Sequence, residues 1–155
     1  MVQALNEVFL HLFEQHSGEN RPSMDEVFLT LASVVATRST CNVISCAAII
    51  VKDNQIISIG YTGAPKGFEH CCERGDCWKD HADVNKCLGV HAPINAIIFG
   101  NGKDLAGSTI YIAGYDRSKK CMIDAQPCES CMGAIKNAGI EKIVTATEAE
   151  ASQLI

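Results

Sequence analysis

The sequence predicts an α/β protein, a mixed sheet sandwiched between helices, and three observations carry that reading. Two β-branched runs, Val43–Lys52 and Gln55–Tyr61, meet at Asp53-Asn54, the residue types that a tight hairpin turn takes. Downstream, helical patterns with recognisable starts and stops alternate with short strand patterns. The resulting order, ααββαβαβ, belongs to layered sheet-and-helix architectures rather than to bundles or all-β folds. The chain has 155 residues, 47% hydrophobic and 20% charged, which suits a single domain over 1–155 and rules out a disordered composition.

Each element has a local cause. Val2, Leu5, Val8, Phe9, Leu12 and Phe13 fall at helical spacing within residues 2–15, and Arg21-Pro22 ends that helix. Ser23 followed by Glu26 is a capping box, after which Val27, Phe28, Leu31, Val34 and Val35 give the next helix its buried face. Residues 62–90 carry four cysteines and no clear period, so they read as a long functional loop. A helix is expected over His91–Phe99, stopping at Gly100 and Gly102, then a strand over Ser108–Ala113. Pro127 suits the first turn of a helix running to about Ala138 with Gly139 as its cap, and Glu141–Ala146 is the last strand.

Charge and hydropathy exclude several classes of partner. The net charge of −5, from 13 Lys+Arg against 18 Asp+Glu, argues against a surface that coats duplex nucleic acid, while a small phosphorylated ligand stays open. The longest uninterrupted apolar run, Cys46 to Val51, is six residues, too short to span a bilayer, so no membrane partner is expected. No basic residue precedes Arg21, so no secretory signal is visible and a cytoplasmic location is expected. The nine cysteines are odd in number and cannot all pair within one chain. In a reducing compartment such a set points to metal rather than to disulfides. Cys46, in an apolar strand pattern, and Cys121, in a loop, read as small packing residues.

The chemistry gathers at two helix starts. Pro127-Cys128-Glu129-Ser130-Cys131 sets two thiols three residues apart on one face of a first helical turn, where unpaired backbone N–H groups favour the thiolate. His91 opens the other helix and adds an imidazole. Zinc accepts such a His-plus-two-Cys set and keeps a fourth position open, as catalytic sites do. A Cys-x-x-Cys pair is also a redox motif, which would hold no metal.

These residues resemble a family. His91-Ala92-Pro93-Ile94-Asn95-Ala96-Ile97 followed by Pro127-Cys128-Glu129-Ser130-Cys131 is similar to the zinc signature of the cytidine and deoxycytidylate deaminases. Arg38-Ser39-Thr40-Cys41, Ala48–Asp53, Gly60–Gly67, His70-Cys71 and Asn137–Ile140 resemble the deoxycytidylate branch, and the resemblance spans about residues 24–146. It implies a three-layer α/β/α sandwich with a mixed central sheet, one catalytic zinc held by His91, Cys128 and Cys131, and assembly into homo-oligomers. It also implies hydrolytic deamination of a cytosine nucleotide such as deoxycytidylate, or of a related amino-substituted heterocycle. Thr62 would meet the sugar and the Ala92 backbone the base.

The departures bear on activity. The family has a glutamate two residues after the zinc histidine, and that glutamate moves the protons of the hydrolysis. This chain has Pro93 there, which can carry none, although a proline in a first helical turn leaves the fold intact. The family's Gly-Tyr-Asn-Gly reads Gly60-Tyr61-Thr62-Gly63, and its basic stretch after Arg-Ser-Thr-Cys reads Asn42-Val43-Ile44-Ser45, without positive charge. Two readings follow: a deaminase with altered chemistry, or a catalytically inactive zinc-binding protein of the same fold that binds a nucleotide or partners an active subunit. Glu129, Glu73, Asp76, Asp80 and Asp83 are the acidic residues weighed as substitute proton carriers. Lys66, Arg74 and Lys79 would either contact a phosphate or lie solvated. Cys41, His70, Cys71 and Cys77, with Cys72 and Cys87 nearby, would either clamp a structural zinc, as in some members of that branch, or pack as reduced thiols at the loop base.

Overall fold

The hairpin forms where the sequence places it. In the computed structural model, which describes residues 21–77, 87–101 and 103–146, strand β1 (Ile44–Lys52) turns through Asp53 and Asn54 into β2 (Gln55–Tyr61). Both turn residues have positive φ, 51° and 58°, the left-handed pair that lets a two-residue turn follow the twist of its strands. β3 (Thr109–Asp116) lies antiparallel on the other edge of β1, with Ile44 opposite Asp116 and Val51 opposite Thr109. The free edge of β3 is shared. β4 (Cys121–Ile123) pairs antiparallel with Gly114–Asp116, and β5 (Lys142–Thr145) runs parallel along Thr109–Ile112. The sheet is therefore mixed.

Helices cover both faces, which explains why β1 is buried almost continuously rather than alternately. Ala48, Ile50, Ile110 and Ile112 meet α3 (Ala92–Phe99) and α4 (Glu129–Asn137) through Ala92, Ala96 and Ile135. One residue out of phase, Ile49, Val51, Tyr111 and Ala113 meet Phe28, Leu29 and Ala32 of α1 (Met24–Ala36). Each fully buried isoleucine in these layers contributes roughly 1.5–3 kcal/mol. The three-layer sandwich is as expected.

The capping box is present at the start of α1, with the Ser23 hydroxyl accepting from the Glu26 N–H at 3.2 Å and the Ser23 N–H donating to Glu26 Oε2 at 2.6 Å. Asp25 then accepts from the Tyr111 hydroxyl and from Lys142 Nζ, pinning α1 to β3 and β5. On the other face, β2 and α3 approach so closely that a Cβ on Gly60 would run into Ala96 N and lie 2.6 Å from the Ala92 carbonyl oxygen. Only glycine fits there.

Several boundaries differ from the sequence reading. The strand expected to end at Ala113 continues to Asp116, across a Gly114 that is required because a Cβ there would sit 2.8 Å from the Ala125 Cβ. β4 was not anticipated, since three residues are too few to show alternation, and Cys121 opens it rather than lying in a loop. The segment read as an unbroken loop contains a short helix, α2 (Cys71–Arg74), and a bridge between Gly63 and Val90. Pro127 lies outside its helix: Cys128, in extended backbone, is the N-cap of α4, and the helix ends at the Ala138 cap, with Gly139 following at φ 74°. The helix expected over residues 2–15 lies outside the described residues.

Candidate metal centre and its cavity

Two helix N-termini open toward the same end of the sheet, at the carboxyl ends of β2 and β3. His91 is the N-cap of α3 and Cys128 the N-cap of α4. Helix geometry then brings Cys131, one turn on, beside Cys128. The Nδ1 of His91 lies 3.3 Å from Cys128 Sγ and 3.4 Å from Cys131 Sγ, and the three ligand atoms all fall within 4.8 Å of one another. Among the described residues this is the one His/Cys/Asp/Glu group so gathered.

The two thiols differ in environment. The Cys131 N–H at the open end of α4 is the largest influence on Cys128 and holds its thiol below the ordinary value, against some burial. Cys131 is buried, and burial together with the neighbouring Cys128 pushes its thiol up to about 12. A divalent cation at this point would favour both thiolates at once, since its charge replaces the lost hydration. The donor chemistry fits zinc: one neutral imidazole, two thiolates and an open side. It fits a redox pair less well, because an imidazole completes the group.

The open side gives onto a cavity of about 310 Å³. Thr62, Ala92 and Pro93 all line it, as do Cys46, Ile112 and the Asp124–Cys128 segment. Thr62 is held by its backbone: its N–H donates to the Cys46 carbonyl, and its own carbonyl accepts from the Thr40 N–H and the Ser39 hydroxyl. Pro93 is buried in the first turn of α3, where it forfeits no helical hydrogen bond. The structure thus brings Thr62, His91, Ala92, Pro93, Cys128 and Cys131 to one cavity.

Of the acidic residues considered as substitute proton carriers, none of those described lines it. Glu73 caps α2 by accepting from the His70 N–H at 3.0 Å, Asp76 binds Arg74, Glu129 does not line the cavity, and Asp80 and Asp83 lie outside the described residues. Among the described residues, the carboxylates that line it are Glu69 and Asp124, neither anticipated. Asp124 is engaged by Gln126 Nε2 and by the Thr145 hydroxyl. Its nearness to Cys128 in sequence was the available signal; Glu69, on an irregular loop, offered none.

The loop cysteines form the opposite wall. Cys41, Cys71, Cys77 and Cys87 all line the cavity, and the Cys71 thiol is raised by burial first and then by those three neighbours. His70 does not line the cavity, and its Nδ1 is paired with the Thr40 hydroxyl at 3.0 Å. Cys46, beneath the metal group, has its thiol pushed up to about 11 by burial.

Comparison with known proteins agrees with this geometry. The family model described as the cytidine and deoxycytidylate deaminase zinc-binding region matches residues 22–147. A deoxycytidylate deaminase of Mycobacterium phage D29 is 33% identical over 133 residues, which is 81% of this chain and 95% of that protein. The ComE operon protein 2 of Bacillus subtilis is 33% identical over 83% of this chain and 61% of its own length. The deoxycytidylate deaminase of Schizosaccharomyces pombe is 29% identical, and this chain covers 42% of it. A crystal structure of the cyanophage S-TIM5 dCMP deaminase in complex with dCMP and dUMP superposes with a TM-score of 0.61 at 25% identity, covering 79% of this chain and 80% of that one. Fold, ligand spacing and sequence similarity lead to one placement: the chain belongs to the zinc-binding cytidine and deoxycytidylate deaminase family.

Proposed function

We propose that this protein holds one zinc through His91, Cys128 and Cys131 and binds a cytosine nucleotide or related amino-substituted heterocycle beside it, as a zinc-dependent deaminase whose proton transfer departs from the family pattern. The observation that supports this is the convergence of Nδ1 and two Sγ atoms at the mouth of the cavity that Thr62 and Ala92 line. When bound, zinc supplies a Lewis acid that activates water at neutral pH. The remaining steps fall to the chain. The Ala92 backbone and the Thr62 hydroxyl orient the ring and sugar, and the apolar walls keep bulk water out. Pro93 occupies the place of the proton carrier and moves no proton, so hydrolysis is slow unless another group substitutes.

A second reading, an inactive nucleotide-binding or partner protein, is favoured by the same Pro93, which is buried and offers only hydrocarbon to the cavity. Ammonia release from deoxycytidylate and cytidine separates the two readings. We expect Pro93→Glu to raise the rate by about 10²–10⁴-fold, the usual worth of a general acid/base. A folded, zinc-loaded variant that stays inert rejects a disabled deaminase and favours altered chemistry or a binding role.

The reading carries a cytoplasmic location, supported by nine free thiols, and assembly of several copies, which would cover the exposed Ile98 and Phe99 at the end of α3. No helix among the described residues is long and apolar enough to cross a membrane.

A further inference from the structure

We infer that an apolar face over β2 is a docking surface, and that its occupant is the preceding segment of the same chain, residues 2–15. Residues directly opposed on neighbouring strands share one side of a sheet. Ile56 stands opposite Val51 and Ile59 opposite Ile49, and both partners lie in the layer that α1 covers. Ile56 and Ile59 therefore belong to that same side. α1, however, packs mainly against β1, β3 and β5, and among the described residues none from β2 joins its cluster. The helix crosses the sheet obliquely. Asp25 at its start binds Lys142 of β5, while just past its end the Ser39 hydroxyl donates to the carbonyl of Thr62, the residue after β2. Its second half, which carries Leu31 and Val34, thus leans toward β2. These two residues with Ile56 and Ile59 are 39–57% exposed, a grouping of large aliphatic side chains on one side of an edge strand rather than a scatter.

Residues 2–15 match this face in pattern, length and reach. Val2, Leu5, Phe9 and Leu12, flanked by Val8 and Phe13, repeat at three- and four-residue spacing, and helical periodicity sets Gln3, Glu7 and Glu14 opposite them. From Val2 to Phe13 a helix runs about 16 Å, and from Met24 to Val34 of α1 about 15 Å. The connection between them includes Ser17-Gly18-Glu19-Asn20, turn-forming residue types, and falls within the roughly 2–8 residues that join antiparallel helices. Such a tether holds the segment beside the face at an effective concentration of about millimolar, which favours it over a second copy of the chain. Antiparallel to α1, the segment completes the outer layer over β2. It thereby backs the strand that hands the chain to Thr62 at the cavity.

The test is hydrogen exchange of the full chain, read by mass spectrometry over a range of protein concentrations. Amides of residues 2–15 are expected to exchange at least about tenfold more slowly than those of an unstructured peptide, at every concentration. Ile59→Asp should return them to the unstructured rate while α1 and β1 keep their protection, and Ile59→Ser is the milder variant if the aspartate prevents folding. Phe9→Asp should have the same effect from the other side of the contact. Exchange at the unstructured rate in the parent overturns the inference, as does protection that survives in the folded Ile59 and Phe9 variants. Protection that disappears on dilution, together with a fall in mass from dimer to monomer, also overturns it and makes a second copy the occupant.

Discussion

The side-chain amide of Asn95 donates from Nδ2 to the Tyr61 carbonyl oxygen at 2.8 Å. The first turn of α3, which His91 caps, is thereby tied to the end of β2, which hands the chain to Thr62. The His91 side and the Thr62 side of the cavity are fixed to each other through one hydrogen bond and one strand end.

Zinc content is the first consequence to measure. Purified protein is expected to hold a zinc that Cys128→Ser releases or weakens by at least about tenfold, since loss of one of three protein ligands also removes a charge. Unchanged zinc in that variant, with any metal elsewhere counted separately, would remove His91, Cys128 and Cys131 as the site.

The loop thiols test the expectation of a second zinc. Cys77 is buried among Cys41, Cys71 and Cys87 at the cavity wall. If an ion clamps them, Cys77→Ser lowers zinc by about one per chain and speeds proteolysis within residues 62–90, while the His91 site keeps its own. Parental zinc content and an unchanged protease pattern make these thiols ordinary packing.

Asp25 predicts an acid-dependent term in stability. Hydrogen bonds first from Lys142 and then from Tyr111 hold its carboxyl below the ordinary value of 3.8. The charged form is thus favoured in the folded state, so the contribution is complete above pH 3.8 and fades as pH falls through the lower folded value. Half-exposed, the group is worth about 1 kcal/mol at most. Urea midpoints of Asp25→Asn should lie below the parent at pH 6 and converge with it in acid; a constant gap across that range would rule out the ion pair as the cause.

Gly60→Ala should be among the costliest single substitutions. The added methyl meets Ala96 N, the Ala92 carbonyl oxygen and the Asn95 carbonyl carbon, all backbone of a helix that cannot yield locally. A loss of about 3 kcal/mol or more is expected, and thermal unfolding within a degree or two of the parent would contradict it.

Much of the site was legible because its residues announce themselves locally. Ser23 with Glu26, Asp53-Asn54 and Cys128 with Cys131 each act within a few positions, so spacing alone places them. Glu69 and Asp124 could not be read that way: their place at the cavity depends on how the loop after β2 and the exit from β4 fold back. Likewise β4 exists because β3 offers it an edge, and Gly114 marks a chain crossing rather than a break.

The shared edge of β3 has a consequence for how the protein can change. β4 takes Gly114–Asp116 and β5 takes Thr109–Ile112, so around Ala113 the ladder passes from one neighbour to the other. At that notch the backbone leaves the sheet and runs through Ala125 to Cys128. The turn at residues 117–120 lies on the far side of β4, where extra residues would loop outward and leave the zinc group untouched. The same residues inserted between Asp124 and Pro127 would swing Cys128 out of reach of His91. Length variation should therefore be tolerated on one side of this three-residue strand and forbidden on the other.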